Sequence, residues 1–281
     1  MKKGYSFISF RDVSFSDIGN FHECLKVCSE AGYDGVELTI EDDSPLTMKS
    51  TDSEILAVRK MVEDYGLKVH SVCGFGGNLA SDDANERKAG RDAIERTLET
   101  AALIGADGIL SIPGIVGSDF MPDAPLIPYE KAYERSQEML GTLTSVAESC
   151  KVNIAIENIW NKFLLSPIEM RRFVDELNSD YLGVYFDVGN IILTGYPEDW
   201  IRTLGKRIKK LHFCDFKRGS ASLAGFCDLL EGDVNFPEVM KALKEIGYDN
   251  YLTVEMDPNY KQFPLQSIRS NAVSLDFILT L

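Results

Sequence analysis

The chain has 281 residues, 44% of them apolar and 26% charged, which is typical of a globular protein with a sizeable core. Its formal net charge of −15 argues against binding to nucleic acid, because phosphate backbones require clustered lysine and arginine side chains. Six cysteines form no CxxC pair, so a reducing compartment fits best. The chain shows neither a signal-peptide core nor an apolar run of membrane-spanning length, which predicts a cytoplasmic protein without a membrane partner.

Short apolar runs alternate with helical patterns along the whole chain. The predicted strands are residues 5–10, 35–40, 67–72, 108–112, 152–158, 182–188, 208–215 and 251–256. Regular alternation of strands and helices indicates a parallel sheet covered by helices. Eight such units in 281 residues match a closed barrel, so we predict an α/β fold, a single (β/α)8 TIM barrel spanning residues 1–281.

The alternative fold is a doubly wound open sheet, which usually carries a glycine-rich loop after its first strand. Here that position reads SFRDVSFSDIG, without such a loop. Capping boxes are predicted at Thr51 to Glu54 and at Ser166 to Glu169, and residues 113–127 are predicted to form a loop over one barrel face. Left-handed helix ends are predicted at Gly32, Gly66, Gly105 and Gly247.

The active face of such a barrel lies at the carboxyl ends of its strands. Glu157, Asp187, His212 and Glu255 each stand at or near the end of an apolar run, about one βα unit apart. Singly, each is more often a loop cap, a salt-bridge partner or a core histidine. Three carboxylates and an imidazole that converge would repel one another without a cation, so the set favours a site for Mn²⁺, Mg²⁺, Co²⁺ or Zn²⁺.

Further polar and aromatic residues are candidates for substrate contact. Glu37 and His70 are predicted at the ends of strands two and three, where they either bind substrate hydroxyls or hydrogen-bond to loops. Trp160 and Phe163 follow Glu157 and form either an apolar wall of the site or loop anchors.

Several segments together resemble a known family: IAIENIWNKFLLSP, GVYFDVGN, IKKLHFCDFKR, EGDVNFPEVMKAL and the closing LTVEM. They resemble the xylose isomerase-like TIM-barrel family of sugar and sugar-phosphate isomerases and epimerases. Within it they are most similar to the ketose 3-epimerase and ribulose-phosphate 3-epimerase branches. The resemblance covers essentially the whole chain and is strongest from Asn153 to Glu255.

The resemblance implies a ligand set and roles for individual residues. In the 3-epimerase branch one divalent ion, often manganese, is held at positions that match Glu157, Asp187, His212 and Glu255. It therefore implies one divalent metal ion, manganese first, with magnesium, cobalt or zinc as alternatives. The two glutamates become the acid/base pair on opposite faces of the substrate. An arginine six residues after the histidine, here Arg218, contacts the substrate.

Two positions depart from the family pattern. Asn190 stands where many relatives have a histidine, so it can hydrogen-bond a hydroxyl but cannot change charge near neutral pH. Phe163 stands where some free-ketose epimerases have a second glutamate that contacts substrate. The substrate of this protein therefore cannot be inferred from the substrates of those enzymes.

The residues, together with what the resemblance implies, favour a metal-dependent isomerase or epimerase of a ketose or ketose phosphate. Proton abstraction next to the carbonyl would give a metal-stabilised enediolate, with Glu157 and Glu255 moving protons. Asp187 and His212 would mainly hold the metal, and Asp215 would either orient His212 or cap its loop. The expected partner is a small-molecule sugar or sugar phosphate, and assembly into a homo-oligomer is left open.

Three alternatives share the barrel. A lyase that dehydrates a keto-polyol also begins with metal-assisted proton abstraction. An abasic-site endonuclease is disfavoured, because its trinuclear zinc cluster needs many histidines and this chain has three. A non-catalytic sugar-binding protein is the third, and the presence of both glutamates argues against it.

Overall fold

The computed structural model describes residues 1–10, 17–118, 125–256, 260 and 262–281. Within these residues eight parallel strands close into a barrel, in which neighbours along the chain are also neighbours in the sheet. The strands are β1 (Lys2–Ser6), β2 (Gly35–Ile40), β3 (Lys68–Gly74), β4 (Gly108–Ser111), β5 (Asn153–Glu157), β6 (Leu182–Asp187), β7 (Ile208–Phe213) and β8 (Tyr251–Val254). Because β1 pairs with both β2 and β8, the barrel closes, and the predicted (β/α)8 fold is confirmed. That residues 1–281 form a single domain stays a prediction.

The first predicted strand is misplaced. Residues 5–10 were expected to be extended, but β1 ends at Ser6 and Phe7–Phe10 form a 3-10 turn. Phe7 packs edge-on against Phe21, with ring centroids 5.6 Å apart. Burial of aromatic rings, and not strand pairing, therefore explains the second half of this apolar run.

The seventh predicted strand is too long. It was expected over 208–215 but ends at Phe213. Asp215–Phe216 instead pairs antiparallel with Phe226–Cys227 in the loop after β7. The chain thus leaves the barrel two residues earlier than its apolar pattern indicates.

Helices cover the outside of the barrel. In the described chain they are α1 (Ile18–Glu30), α2 (Asp52–Asp64), α3 (Ala84–Ile104), α4 (Tyr129–Gly141), α5 (Thr144–Cys150), α6 (Pro167–Glu176), α7 (Pro197–Leu204), α8 (Phe236–Ile246) and α9 (Gln266–Ile278). None of the described helices is both long enough and apolar enough to cross a membrane. The six cysteines are free thiols.

The helix boundaries follow the predicted capping signals, although one of the two predicted capping boxes is only half formed. At α2 both halves of the capping box are present: Thr51 Oγ1 accepts from the Glu54 N–H, and the Glu54 carboxylate accepts from the Thr51 N–H at 2.7 Å. At α6 the box is half formed, since the Ser166 hydroxyl accepts from the Glu169 N–H while Glu169 accepts from the N–H of Leu165. The predicted left-handed helix ends all have positive φ, at Gly32, Gly66, Gly105 and Gly247.

The long connection after β4 is irregular where it is described. Residues 112–118 and 125–128 contain neither helix nor strand. The remaining part of the predicted 113–127 loop, residues 119–124, lies outside the described residues. The connection leaves the carboxyl end of β4, the end at which the barrel opens to its site.

A buried lysine closes the opposite end of the barrel. The Lys210 ammonium donates to the His70 carbonyl oxygen at 2.6 Å and to the carboxylate of Asp107, the residue that precedes β4. The Lys210 stem passes so close to Gly108 that a Cβ there would lie 2.8 Å from Lys210 Cε. A side chain at residue 108 would therefore displace the Lys210 stem from its present path to these acceptors.

The capping box of α2 provides a test of the fold. Replacing Thr51 with Ala removes the side-chain acceptor for the Glu54 N–H, so the free energy of unfolding should fall by about 1 kcal/mol. Urea denaturation measures the loss. Thr51→Ser keeps the hydroxyl and should remain close to the wild type; equal stability of all three proteins would contradict the assignment.

Candidate active site

Four polar side chains converge at the carboxyl ends of four consecutive strands. Glu157 ends β5, Asp187 ends β6, His212 is the penultimate residue of β7, and Glu255 directly follows β8. The sheet register sets Asp187 directly beside His212, so these strand ends lie at one level. One ligand atom from each of the four lies within 4.8 Å of those of the others. The convergence expected from the spacing of the apolar runs is present.

The His212 ring lies between the carboxylates. Its Nδ1 is 2.9 Å from Glu255 Oε2 and 3.2 Å from Glu157 Oε1. On the other edge of the ring, Nε2 is 2.8 Å from Glu37 Oε1. The imidazole is fully buried, so each nitrogen meets protein acceptors and not water.

Burial and like charge dominate the electrostatics of the cluster. Burial, together with the nearby Glu255 carboxylate, raises the pKa of Glu157 to about 7 despite a hydrogen bond to His212. Burial and Glu255 likewise raise the pKa of Asp187 to about 6. Burial disfavours the His212 imidazolium, but Glu255 and Glu37 outweigh it and raise the pKa of His212 well above its ordinary value. Protons thus compensate part of the crowded negative charge.

The donor set fits a divalent cation. Three carboxylates and one imidazole supply oxygen and nitrogen ligands, and their atoms are close enough together to share one ion. A cation would replace the protons that the crowded carboxylates otherwise retain. Glu157, Asp187, His212 and Glu255 are therefore the residues that would hold the metal.

Two residues that the sequence reasoning missed fix Asp187. The Asn158 side chain accepts from the Asp187 N–H and donates to the Asp187 carbonyl oxygen, both at 2.8 Å. The Cys214 thiol lies 3.1 and 3.2 Å from the two carboxylate oxygens of Asp187, and one of these oxygens also accepts from the Asn190 N–H. A Cβ at Gly189 would lie 2.5 Å from the Cys214 sulfur, which explains the glycine in DVGN. The sequence signal was their position, since each directly follows a strand that carries one of the clustered side chains, Glu157 or His212.

Glu37 and His70 do not lie at strand ends, so their predicted placement is wrong. Glu37 is the third residue of β2, fully buried behind His212. His70 is the third residue of β3, where its ring stacks on Tyr251 with centroids 4.1 Å apart, near the lysine-closed end of the barrel. Inward-facing residues in mid-strand contact the barrel interior, whereas only strand ends and loops reach the mouth.

Trp160 and Asn190 line a cavity between the loops after β5 and β6. The Trp160 indole N–H donates to the Asn190 carbonyl oxygen at 3.0 Å, so the loops after β5 and β6 are joined here. The cavity has a volume of about 260 Å³, and its lining also includes Asn158, Phe163 and Thr194. Trp160 therefore anchors its loop and also lines this cavity.

Arg218 lies on the exposed loop after β7. Its Nε donates to the Ile192 carbonyl oxygen at 3.0 Å, and its guanidinium carbon lies 5.9 Å from the centroid of the Tyr196 ring. The arginine thus spans from the β7 loop to the β6 loop, at the rim of the barrel mouth. In the part of the chain that the structure describes, Arg218 forms no hydrogen bond or ion pair with the four clustered side chains.

Asp215 caps the loop after β7. Its carboxylate accepts from backbone N–H groups at distances between 2.8 and 3.1 Å, and the donors are Phe216, Leu230, Gly232 and Val234. Of the two roles considered for Asp215, orientation of His212 or capping of the loop, these bonds support the second. The clamp holds the loop that carries Arg218.

The sequence profile of the xylose isomerase-like TIM-barrel family matches residues 25–272, and the chain belongs to this family. A putative L-ribulose-5-phosphate 3-epimerase, SgbU of Haemophilus influenzae, is 23% identical over 261 residues, which are 88% of this chain and 87% of the relative. The D-psicose 3-epimerase of Agrobacterium fabrum is 25% identical over 244 residues, 84% of this chain and 78% of the relative. The solved structure of IolI protein with a bound zinc atom has a TM-score of 0.82 at 19% identity and covers 100% of this chain and 98% of that one, which shows a shared fold. The family resemblance is confirmed.

Divalent-ion binding should strengthen as the pH rises from about 5 to about 8. The raised pKa values of Glu157, Asp187 and His212 mean that protons occupy the cluster at the lower pH, and a cation must displace them. The same shifts make the metal-free fold less stable as the pH rises through these values, since the folded state then gives up protons that it binds more tightly than the unfolded chain. Calorimetric titration with Mn²⁺ in two buffers of different ionisation enthalpy should show proton release near pH 6. An affinity independent of pH would contradict the electrostatic account.

Asp187→Ala should weaken Mn²⁺ binding by more than about 100-fold, since loss of a residue that merely supports a ligand already costs 10–100-fold. Asp180→Ala is a matched control, because Asp180 is an exposed aspartate just before the opposite end of β6. Circular dichroism checks that both variants fold. Retention of a full metal equivalent by Asp187→Ala would refute the site.

Proposed function

We propose that this member of the isomerase class of sugar enzymes carries out metal-dependent epimerisation or isomerisation of a ketose or ketose phosphate. The observation that carries the proposal is the pair of glutamates beside His212, with Nδ1 3.2 Å from Glu157 and 2.9 Å from Glu255. Epimerisation at C3 is the reaction proposed first, because the two relatives described above are named as a D-psicose 3-epimerase and a putative L-ribulose-5-phosphate 3-epimerase. Manganese is the metal proposed first.

The glutamate pair supplies the proton transfers. Each carboxylate has two oxygens, so one can face the cation while the other reaches the substrate. One glutamate removes a proton from the carbon next to the carbonyl, and the other returns a proton to the opposite face and inverts the centre.

Proton removal leaves an enediolate whose negative charge must be stabilised. When bound, the divalent ion would act as a Lewis acid at the carbonyl oxygen and its neighbouring hydroxyl. Asp187 and His212 complete the ligand set, and Asn158 and Cys214 keep Asp187 in place. In this proposal Asp187 and His212 bind the metal, Asn158 and Cys214 orient Asp187, and the two glutamates transfer the protons.

The substrate would extend from the cluster into the cavity between the loops after β5 and β6. Trp160 would provide an apolar wall, and Asn190 would contact a hydroxyl. Arg218, at the rim of the same side of the mouth, would contact the substrate if its bond to Ile192 opens. We assign no substrate contact to Glu37 or His70, because both are buried within the barrel.

Proton exchange with solvent tests the reaction. Candidate ketoses and their phosphates are incubated with the Mn²⁺-loaded protein in D₂O and followed by NMR, which should show deuterium at C3 together with the epimer. Glu157→Gln and Glu255→Gln should each lower the exchange rate by about 10²- to 10⁴-fold, since each removes a proton-transfer group. The exposed Glu148→Gln on α5 is the matched control and should exchange normally.

The products separate the alternatives. A product that has lost water would contradict epimerisation and identify the protein as a dehydratase. Ketose binding without exchange at any carbon would contradict catalysis and indicate a sugar-binding protein.

A further inference from the structure

A buried carboxylate lies behind His212, on the side of the ring away from the ligand cluster. Glu37 Oε1 is 2.8 Å from His212 Nε2 and also accepts from the Ser6 hydroxyl at 2.7 Å. Glu37 Oε2 accepts from the Tyr185 hydroxyl at 2.6 Å. Three donors from three strands, β1, β6 and β7, thus converge on one side chain of β2.

This carboxylate has no access to solvent. Glu37 is fully buried, as are Ser6, Tyr185 and His212. A buried carboxylate is costly unless hydrogen bonds compensate it, and here both of its oxygens are bonded. Since Glu37 cannot reach a substrate, its chemical effect must pass through His212.

The two edges of the His212 ring have different surroundings. Nδ1 faces Glu157 and Glu255, the candidate metal ligands, while Nε2 faces Glu37. A neutral imidazole carries its proton on one nitrogen and a lone pair on the other. If the Nε2 proton is donated to Glu37, the Nδ1 lone pair points into the cluster.

The Tyr185 ring restrains the same histidine. Its centroid lies 4.3 Å from that of His212, while its hydroxyl donates to Glu37. Tyr185 therefore contacts both the ring and the acceptor that orients the ring. The ring orientation and its acceptor are held by one residue.

We propose that Glu37 is a positioning residue of the metal centre, which holds the Nε2–H of His212 so that Nδ1 is the metal ligand. Ser6 and Tyr185 keep the Glu37 carboxylate in place. The inference rests on the proposed metal-dependent function, and it replaces the substrate-binding role expected for Glu37 from sequence. Hydrogen-bonded partners of a ligating histidine typically contribute 10–100-fold to metal affinity.

The test is metal affinity in Glu37→Gln. Protein freed of metal by chelation is titrated with Mn²⁺ by calorimetry at one pH, beside the wild type. Glu37→Gln keeps the side-chain shape but removes the charge, and its Kd for Mn²⁺ should rise about 10- to 100-fold. The thermal midpoint of each metal-free protein is measured as well. A wild-type Kd in the variant would overturn the inference, whatever happens to its thermal midpoint.

A second variant covers the case in which Glu37→Gln does not fold. Tyr185→Phe removes one donor to Glu37 and keeps the aromatic ring, so it should weaken Mn²⁺ binding by a smaller factor. The exposed Tyr196→Phe is the matched control and should bind Mn²⁺ as the wild type does. Equal Mn²⁺ affinity of Tyr185→Phe and the wild type would count against the network.

A spectroscopic measurement uses the wild type alone. With Zn²⁺ bound, ¹⁵N NMR of His212 should show the proton on Nε2 and the metal on Nδ1, and the reverse pattern would overturn the inference. Failure here can be told from failure of the proposed function. A wild type that binds no divalent ion refutes the metal centre itself, whereas normal binding with an unaffected Glu37→Gln refutes only the role of Glu37.

Discussion

At the mouth of this barrel one ligand atom from each of three carboxylates and one imidazole lies within 4.8 Å of the others, and much of the site follows from the crowding of the three carboxylates. Parallel strands deliver their ends to one face, so barrel closure brings these side chains together. Burial makes the resulting negative charge more costly, which is why the pKa of Glu157 rises to about 7. A divalent cation is the simplest compensation for such a cluster, and proton transfer by its glutamates is the chemistry that we propose for it.

The charged residues that stabilise the fold lie apart from those of the candidate active site. At the closed end, Lys210 neutralises Asp107 and bonds to the His70 backbone, far from the loops of the mouth. At the open end, Asp215 organises a loop through backbone N–H groups. Glu37 lies inside the barrel, between the closed end and the mouth. Its place on a rigid strand lets it hold the His212 ring more firmly than a loop residue could.

The sequence was most informative where periodicity and covalent spacing decide the outcome. Apolar runs that end in Glu157 and Asp187 located both the strands and two of the clustered carboxylates, because the carboxyl end of a buried strand faces the barrel mouth. It was less informative where the sheet register determines which side chains meet. Glu37 and His70 stand in mid-strand, and only the alignment of β2 and β3 with their neighbours shows which residues they meet. The contact of Asn158 with the Asp187 peptide has the same origin, since it joins different strands across 29 residues of chain.

The most direct test of this account is a crystal structure of the Mn²⁺-loaded protein with anomalous difference density for manganese. The account predicts a peak bound by Glu157, Asp187 and Glu255 oxygens and by Nδ1 of His212, with Nε2 still hydrogen-bonded to Glu37. A manganese peak elsewhere, or one bound through Nε2, would contradict it.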